Sequence, residues 1–150
     1  MADIPSLAIP VLQLDPDLPI PRRAHDGDAA FDLLARSDVV LEPNGGRALV
    51  PTGVALELPP GTAGLVLPRS GLALHHGVTC LNAPGLIDPS YRGEVGVILV
   101  NTDPSDAYEV HRGDRIAQLL VVSPGTAMLV AAAQLGDSDR GSGGFGHTGR

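Results

Sequence analysis

A chain of 150 residues with 43% hydrophobic content has room for one domain and a single core, and no apolar run approaches the roughly 18 residues needed to span a bilayer, which argues against a membrane protein. A formal charge of −7 argues against a general nucleic-acid binder, whose affinity rests on neutralised phosphates. Cys80 is the single cysteine, so an internal disulfide and a multi-thiolate zinc site are both excluded.

Taken in chain order, the short apolar segments with β-type content are Leu7–Leu14, Asp38–Leu41, Arg47–Val50, Val54–Leu58, Ala63–Leu67, Val78–Leu81, Glu94–Asn101, Tyr108–His111, Arg115–Val122 and Thr126–Val130. Glycine (19) and proline (14) interrupt the chain every few residues and leave helix in the minority. Turn chemistry is explicit at Pro43-Asn44-Gly45-Gly46, Pro59-Pro60-Gly61, Pro84-Gly85 and Arg112-Gly113-Asp114. Many short strands with regular turns predict a sandwich, jelly roll or barrel. The core must come from Leu, Val, Ile and Ala, because only two Phe, two Tyr and no Trp are present. Asp3 and Pro5 stand where a secretory leader would be basic and then apolar, so a cytoplasmic location is expected.

Five polar, glycine-punctuated segments carry the candidate chemistry. In His25 to Leu33, Asp26 and Asp28 read as turn caps, while Asp32, flanked by Phe31 and Leu33, projects from a strand-like stretch toward a site. Pro68-Arg69-Ser70-Gly71 follows an apolar strand and offers an Arg fork, a hydroxyl and an open amide, a way to hold phosphate without Lys; an ordinary turn is the rival. All ten basic side chains are Arg, so any phosphate contact must be an Arg fork or a backbone amide. Asn82 to Glu94 suggests a hairpin with exposed backbone groups, Asn82 on one arm and Gly96 on the other, able to read the edge of a base. Asp88 is either a general base there or the cap of an Asp-Pro turn. Gln118 interrupts an apolar strand and either faces solvent or is buried with a partner. The tail from Arg140 to Gly149 could cradle phosphates through glycine amides, but alone it reads as disordered. It lacks the ending of a P-loop. The five His form no metal-binding spacing, and Ser70 has no identifiable triad partners, which leaves water as the nucleophile.

Together and in this order, the five segments closely resemble the five motifs of the trimeric dUTPase family. Ala29-Ala30-Phe31-Asp32-Leu33 is similar to the first, Pro68-Arg69-Ser70-Gly71-Leu72 to the second, Asn82 to Asp88 through Tyr91-Arg92-Gly93-Glu94 to the third, Gly113 to Leu119 to the fourth, and Arg140 to Gly149 to the fifth. The resemblance implies an all-β jelly roll (a β-clip-like dUTPase fold) of residues 1–135, assembled as a homotrimer, with residues 136–150 as a C-terminal arm closing over the active site. It implies hydrolysis of dUTP to dUMP and pyrophosphate, limiting uracil in DNA and supplying dUMP for thymidylate synthesis, with partners limited to dUTP and sister chains.

By the same resemblance Asp88 deprotonates the water that attacks the α-phosphorus, with Asp32 and Gln118 in the catalytic set. Asn82, Gly85, Leu86, Ile87 and Gly96 bind uracil, and Tyr91 packs on the deoxyribose. Arg69, Ser70, Gly71 and Gln118 hold the phosphates. Arg140, Phe145, Gly146, His147 and Thr148 close over the nucleotide. Mg²⁺ is held by the triphosphate and water rather than by protein ligands. Ala30 stands where the family commonly has Gly, and His147 where it has Ser. The rival functions are a dUTP-binding regulator and a dCTP deaminase of the same fold.

Overall fold

In the computed structural model, described here for residues 7–144, the regular structure is almost entirely antiparallel β. The strands are β1 (Val11–Gln13), β2 (Phe31–Leu34), β3 (Val39–Leu41), β4 (Arg47–Leu56), β5 (Ala63–Leu67), β6 (Val78–Cys80), β7 (Gly85–Ile87), β8 (Glu94–Asn101), β9 (Tyr108–Val110) and β10 (Arg115–Val122), with one helix, α1 (Ser70–His76). They form two four-stranded sheets, β1-β4-β8-β6 and β2-β10-β5-β7, and a two-stranded ribbon, β3-β9. The arrangement is consistent with the jelly roll that the resemblance implies, one of the three architectures the turn spacing left open. Sequence neighbours are mostly not sheet neighbours, so the polar segments at the strand ends are carried back and forth between the sheets.

Alternation drives the packing. In β8 the pattern buries Val95, Val97 and Leu99 while Gly96 stays exposed, as period-two pleating requires. One core gathers Leu33 from β2, Val50 from β4, Val66 from β5, Leu99 from β8, Val110 from β9 and Ile116 and Leu119 from β10. Cys80 lies in this core, and burial pushes its thiol up to about 11, so it is a neutral packing group at physiological pH. Asn101 is fully buried, and its amide donates to the carbonyls of Leu41 at 3.0 Å and Asp106 at 2.8 Å, tying the ribbon to the end of β8.

Three expectations are corrected. Arg47–Val50 and Val54–Leu58 are one strand, β4, because a register shift between Pro51 and Ala55 absorbs the breakers. Gly53 supplies the positive φ of +75° that this bulge requires. Thr126–Val130 forms no strand: residues 123–142 are all exposed, and Met128 (83% exposed) and Leu129 (100%) have nothing among the described residues to pack on. The second motif opens into α1, a short turn of helix without a buried face, closed by Gly77 at φ +63°, whose N–H donates to the carbonyls of Leu72 and Ala73. No helix among the described residues is long and apolar enough to cross a membrane.

Candidate active site

The sheet β2-β10-β5-β7 brings three of the polar segments together. In register, Asp32 of β2 stands opposite Gln118 of β10, and Gln118 opposite Leu67 of β5. Residues directly opposite in an antiparallel pair share a face, so Asp32 and Gln118 look the same way, and Arg69, two residues beyond Leu67, follows. Asp32 and Gln118 line a cleft of about 300 Å³ whose far wall is Ala24 and Asp28 to Ala30. Gln118 is half-buried at its rim.

Asp32 sits between two guanidinium groups. Its Oδ1 is 3.8 Å from Arg69 Nε and its Oδ2 is 3.6 Å from Arg115 Nη1. Arg69 Nη1 donates to the Arg115 carbonyl at 2.9 Å, so it is anchored to β10. Ser70 and Gly71 are exposed at the start of α1 beside it. The cluster thus carries one carboxylate and two arginines in a chain of net charge −7, a local cationic site suited to a phosphorylated ligand.

Arg115 was missing from the sequence-derived site set, and the reason is geometric. A register shift between Arg115 and Ala117 places Arg115 opposite Leu34, hence on the face of Asp32 and Gln118. Simple alternation from Gln118 assigns it to the other face. The turn chemistry of Asp28 follows expectation, its carboxylate accepting the His25 N–H at 2.9 Å.

The third polar segment is placed elsewhere. β6 and β8 are its antiparallel arms, and the pairing runs on to a bond from the Leu81 N–H to the Ile98 carbonyl. Its tip is not a simple hairpin, because β7 crosses to the other sheet and pairs with β5, Gly85 opposite Val66 and Ile87 opposite Gly64. Asn82 is exposed and its amide lies against Gly85; Leu86 and Gly96 are exposed, while Gly85 and Ile87 are buried. Asp88 follows β7 as an exposed residue, and its main-chain carbonyl, not its carboxylate, accepts the Tyr91 N–H that closes the turn. Its carboxylate is therefore not consumed in that closure.

Asp32 and Asp88 are far apart within one chain. They occupy opposite edges of a four-stranded sheet, and Asp88 lies past Ile87, level with the far end of β5 from Leu67. Three inter-strand spacings across and four residues along amount to roughly 14 Å and 13 Å, a separation of roughly 19 Å. Arg140 is exposed, its Nε donating to the Gly143 carbonyl at 2.7 Å, and it contacts neither cluster. Phe145, Gly146, His147 and Thr148 lie outside the described residues. No group of three His, Cys, Asp or Glu side chains positioned to hold a metal occurs among the described residues.

The fold and its clusters define a mainly antiparallel β protein that presents a cleft lined by Asp32 and Gln118, with two arginines facing Asp32, and, apart from it, an exposed carboxylate beside open backbone groups. A family model described as dUTPase matches residues 17–149, and the chain belongs to the dUTPase family. It is 53% identical to a deoxyuridine 5'-triphosphate nucleotidohydrolase of Thermobifida fusca over 144 residues, covering 96% of this chain and 80% of that one. To the protein of the same name in Mycobacterium bovis it is 52% identical over 149 residues, covering 96% of each. Among solved structures, a mutant dUTPase of Staphylococcus bacteriophage 80alpha with dUpNHpp superposes with a TM-score of 0.88 at 28% identity, covering 97% of this chain and all of that one. A mutant dUTPase from phage phi11 of S. aureus, described for the coordination of a structural Mg(II) ion, gives 0.79 at 26% identity over 87% of this chain and all of that one.

Proposed function

We propose that this chain hydrolyses dUTP to dUMP and pyrophosphate, with water as the nucleophile and the α-phosphorus as the centre attacked. The observation that carries the reading is that Arg69 and Arg115 both face Asp32, which lines a cleft with Gln118, in an otherwise acidic protein. Relatives that share about half of its residues over nearly all of its length are named for this reaction.

The geometry supports the roles that the resemblance implies. Arg69 with Ser70, Gly71 and Gln118 holds the phosphate chain, and Asp32 fixes the direction of the guanidinium groups by facing two of them. Asp88, exposed and free of the turn's closure, takes a proton from the water. Asn82 and the main chain of Gly85 to Ile87 and Gly96 read the uracil edge. Such fixed backbone polarity leaves groups unpaired against cytosine. Tyr91, half-exposed beside Asp88, packs on the deoxyribose.

The roughly 19 Å between Asp32 and Asp88 exceeds what one reacting centre can bridge. This supports a homotrimer in which each site takes its arginine cluster from one chain and its Asp88 segment from another. The exposed apolar stretch at Met128 to Val130 supports the same assembly, since among the described residues it has no partner. Residues 136–150 then form an arm distinct from the body at 1–135, closing Arg140, Phe145, Gly146, His147 and Thr148 over the nucleotide and excluding bulk water. The donor set fits a cation that arrives already chelated: the carboxylate nearest the cleft is engaged by two arginines, and the other stands alone. Mg²⁺ bound to the triphosphate oxygens and water would offset their charge and ease departure of pyrophosphate. We place the activity in the cytoplasm.

Pyrophosphate release from dUTP with Mg²⁺, compared for wild type and Asp88→Asn and run beside dCTP, dTTP and UTP, tests the reading. Selective turnover that falls by on the order of 10² or more in the variant is expected for loss of a general base. A folded wild-type trimer that binds dUTP without turning it over would instead make the chain a nucleotide-binding regulator, and ammonia release from dCTP would make it a deaminase.

A further inference from the structure

The turn from Asp88 to Glu94 is held by bonds within itself. The Tyr91 N–H donates to the Asp88 carbonyl at 3.0 Å, Arg92 Nη1 donates to the carbonyls of Pro89 and Tyr91, and Tyr91 Oη donates to the Glu94 carbonyl at 2.9 Å. The last bond folds the Tyr91 side chain over its own main chain, and what it lies on is Gly93. A Cβ added at Gly93 would stand 2.6 Å from Tyr91 Cζ and 3.0 Å from Cε2, and closer still to Oη. The phenol ring therefore rests where any other residue would carry a side chain.

Behind this seat the backbone is fixed from a second direction. The Glu94 carboxylate accepts the Gly53 N–H at 2.7 Å, filling the bulge of β4, and pairs with Arg36 at 3.2 Å. Arg36 is held in turn by the Leu14 carbonyl at 3.2 Å and by Asp15 at 3.5 Å. The carbonyl that receives the Tyr91 hydroxyl thus belongs to a residue locked to two other strands' ends, although the ring itself is half-exposed.

We propose that Gly93 is a positioning residue for sugar selectivity: its bare Cα and the adjacent Glu94 carbonyl form the seat that fixes the Tyr91 ring, and through the ring they set the rejection of ribonucleoside triphosphates. The proposal rests on the reading that Tyr91 faces the deoxyribose. A ring whose hydroxyl end is seated against Gly93 and bonded to the Glu94 carbonyl resists displacement by an added 2′-hydroxyl, so the ribose meets a less yielding surface. Gly93→Ala removes the seat by steric displacement. Tyr91→Phe leaves the ring on Gly93 and removes the anchor to Glu94.

The test is kcat/KM for dUTP and for UTP, with Mg²⁺, on the full-length protein. The variants are Gly93→Ala, Tyr91→Phe, Tyr91→Leu and the double variant Gly93→Ala/Tyr91→Leu, each checked for secondary structure and assembly. Gly93→Ala is expected to lower the dUTP/UTP selectivity about tenfold, Tyr91→Phe by a smaller factor, and Tyr91→Leu by at least as much as Gly93→Ala. The double variant should match Tyr91→Leu alone, since Gly93 acts only through the ring. Wild-type selectivity in a folded Gly93→Ala, or a further loss on adding it to Tyr91→Leu, would overturn the proposal while leaving the role of Tyr91 intact. Unchanged selectivity in Tyr91→Leu would remove that role and the proposal with it.

Discussion

Mixing two inactive variants gives a quantitative test of where the active site is assembled. Arg69→Ala disables the cationic cluster and Asp88→Asn the proton acceptor, and within one chain Asp88 stands roughly 19 Å, by strand spacing and rise, from Asp32, the carboxylate that Arg69 faces. If each site draws the two halves from different chains, co-refolding equal amounts of the variants produces trimers in which half the chains carry an intact Arg69 and the other half an intact Asp88. Each site then has both intact with a probability of about one quarter, so the mixture should recover about a quarter of wild-type activity. If both halves came from the same chain, every site would contain one defect and nothing would be recovered. The assay is pyrophosphate release from dUTP at a concentration that preserves the assembly, with each variant refolded alone as its own baseline. Activity no greater than the mean of the two baselines, in a mixture shown by differential tagging to contain both chains in one particle, refutes the shared site.

Two further outcomes concern stability. Leu33→Ala, at a core position fully closed to solvent between Asp32 and Leu34, should cost about 2–5 kcal/mol in denaturant unfolding at fixed protein concentration; a loss below about 1 kcal/mol would mean that the sheet beneath the site collapses onto the gap. Asp15 is held below the usual carboxylate range, chiefly by its hydrogen bond from Arg112, with the Asp17 N–H and the Arg112 and Arg36 charges assisting against desolvation. A carboxyl depressed in the folded state adds stability above its unfolded pKa and loses it as pH falls through the lower folded value. Asp15→Asn should therefore lower Tm at pH 7, and the gap to wild type should shrink as pH drops below about 4. A gap that stays constant from pH 7 to pH 3 would remove the ionic account.

How much of this was legible depended on whether the chemistry was local. Ala63–Leu67, Glu94–Asn101 and Arg115–Val122 have the bounds expected from sequence, because each is an apolar, β-branched run ended by turn residues. The break expected at Pro51 to Gly53 is a bulge inside one strand, since tertiary pairing with β8 outweighs two local breakers. Asp32, Arg69 and Gln118 were grouped through their motifs, and Arg115 was not among them because one extra residue in β10 turns it onto the Gln118 face. Strand order is not written in any segment, so the separation of Asp32 from Asp88 could not be read from the residues themselves, although the resemblance implies sites lined by segments of different subunits. Thr126–Val130 has strand-like residues but no strand, because a strand is a property of a pair and the described residues supply no second member.

That unpaired stretch bears on the life of the chain in the cell. Until the proposed homotrimer assembles, the polypeptide displays Met128, Leu129, Val130 and Leu135 openly to water, the kind of surface that chaperones and proteases survey. Production faster than encounter would send newly made copies toward degradation or aggregates, and a substitution that merely slows encounter would lower abundance without touching a single group that handles nucleotide.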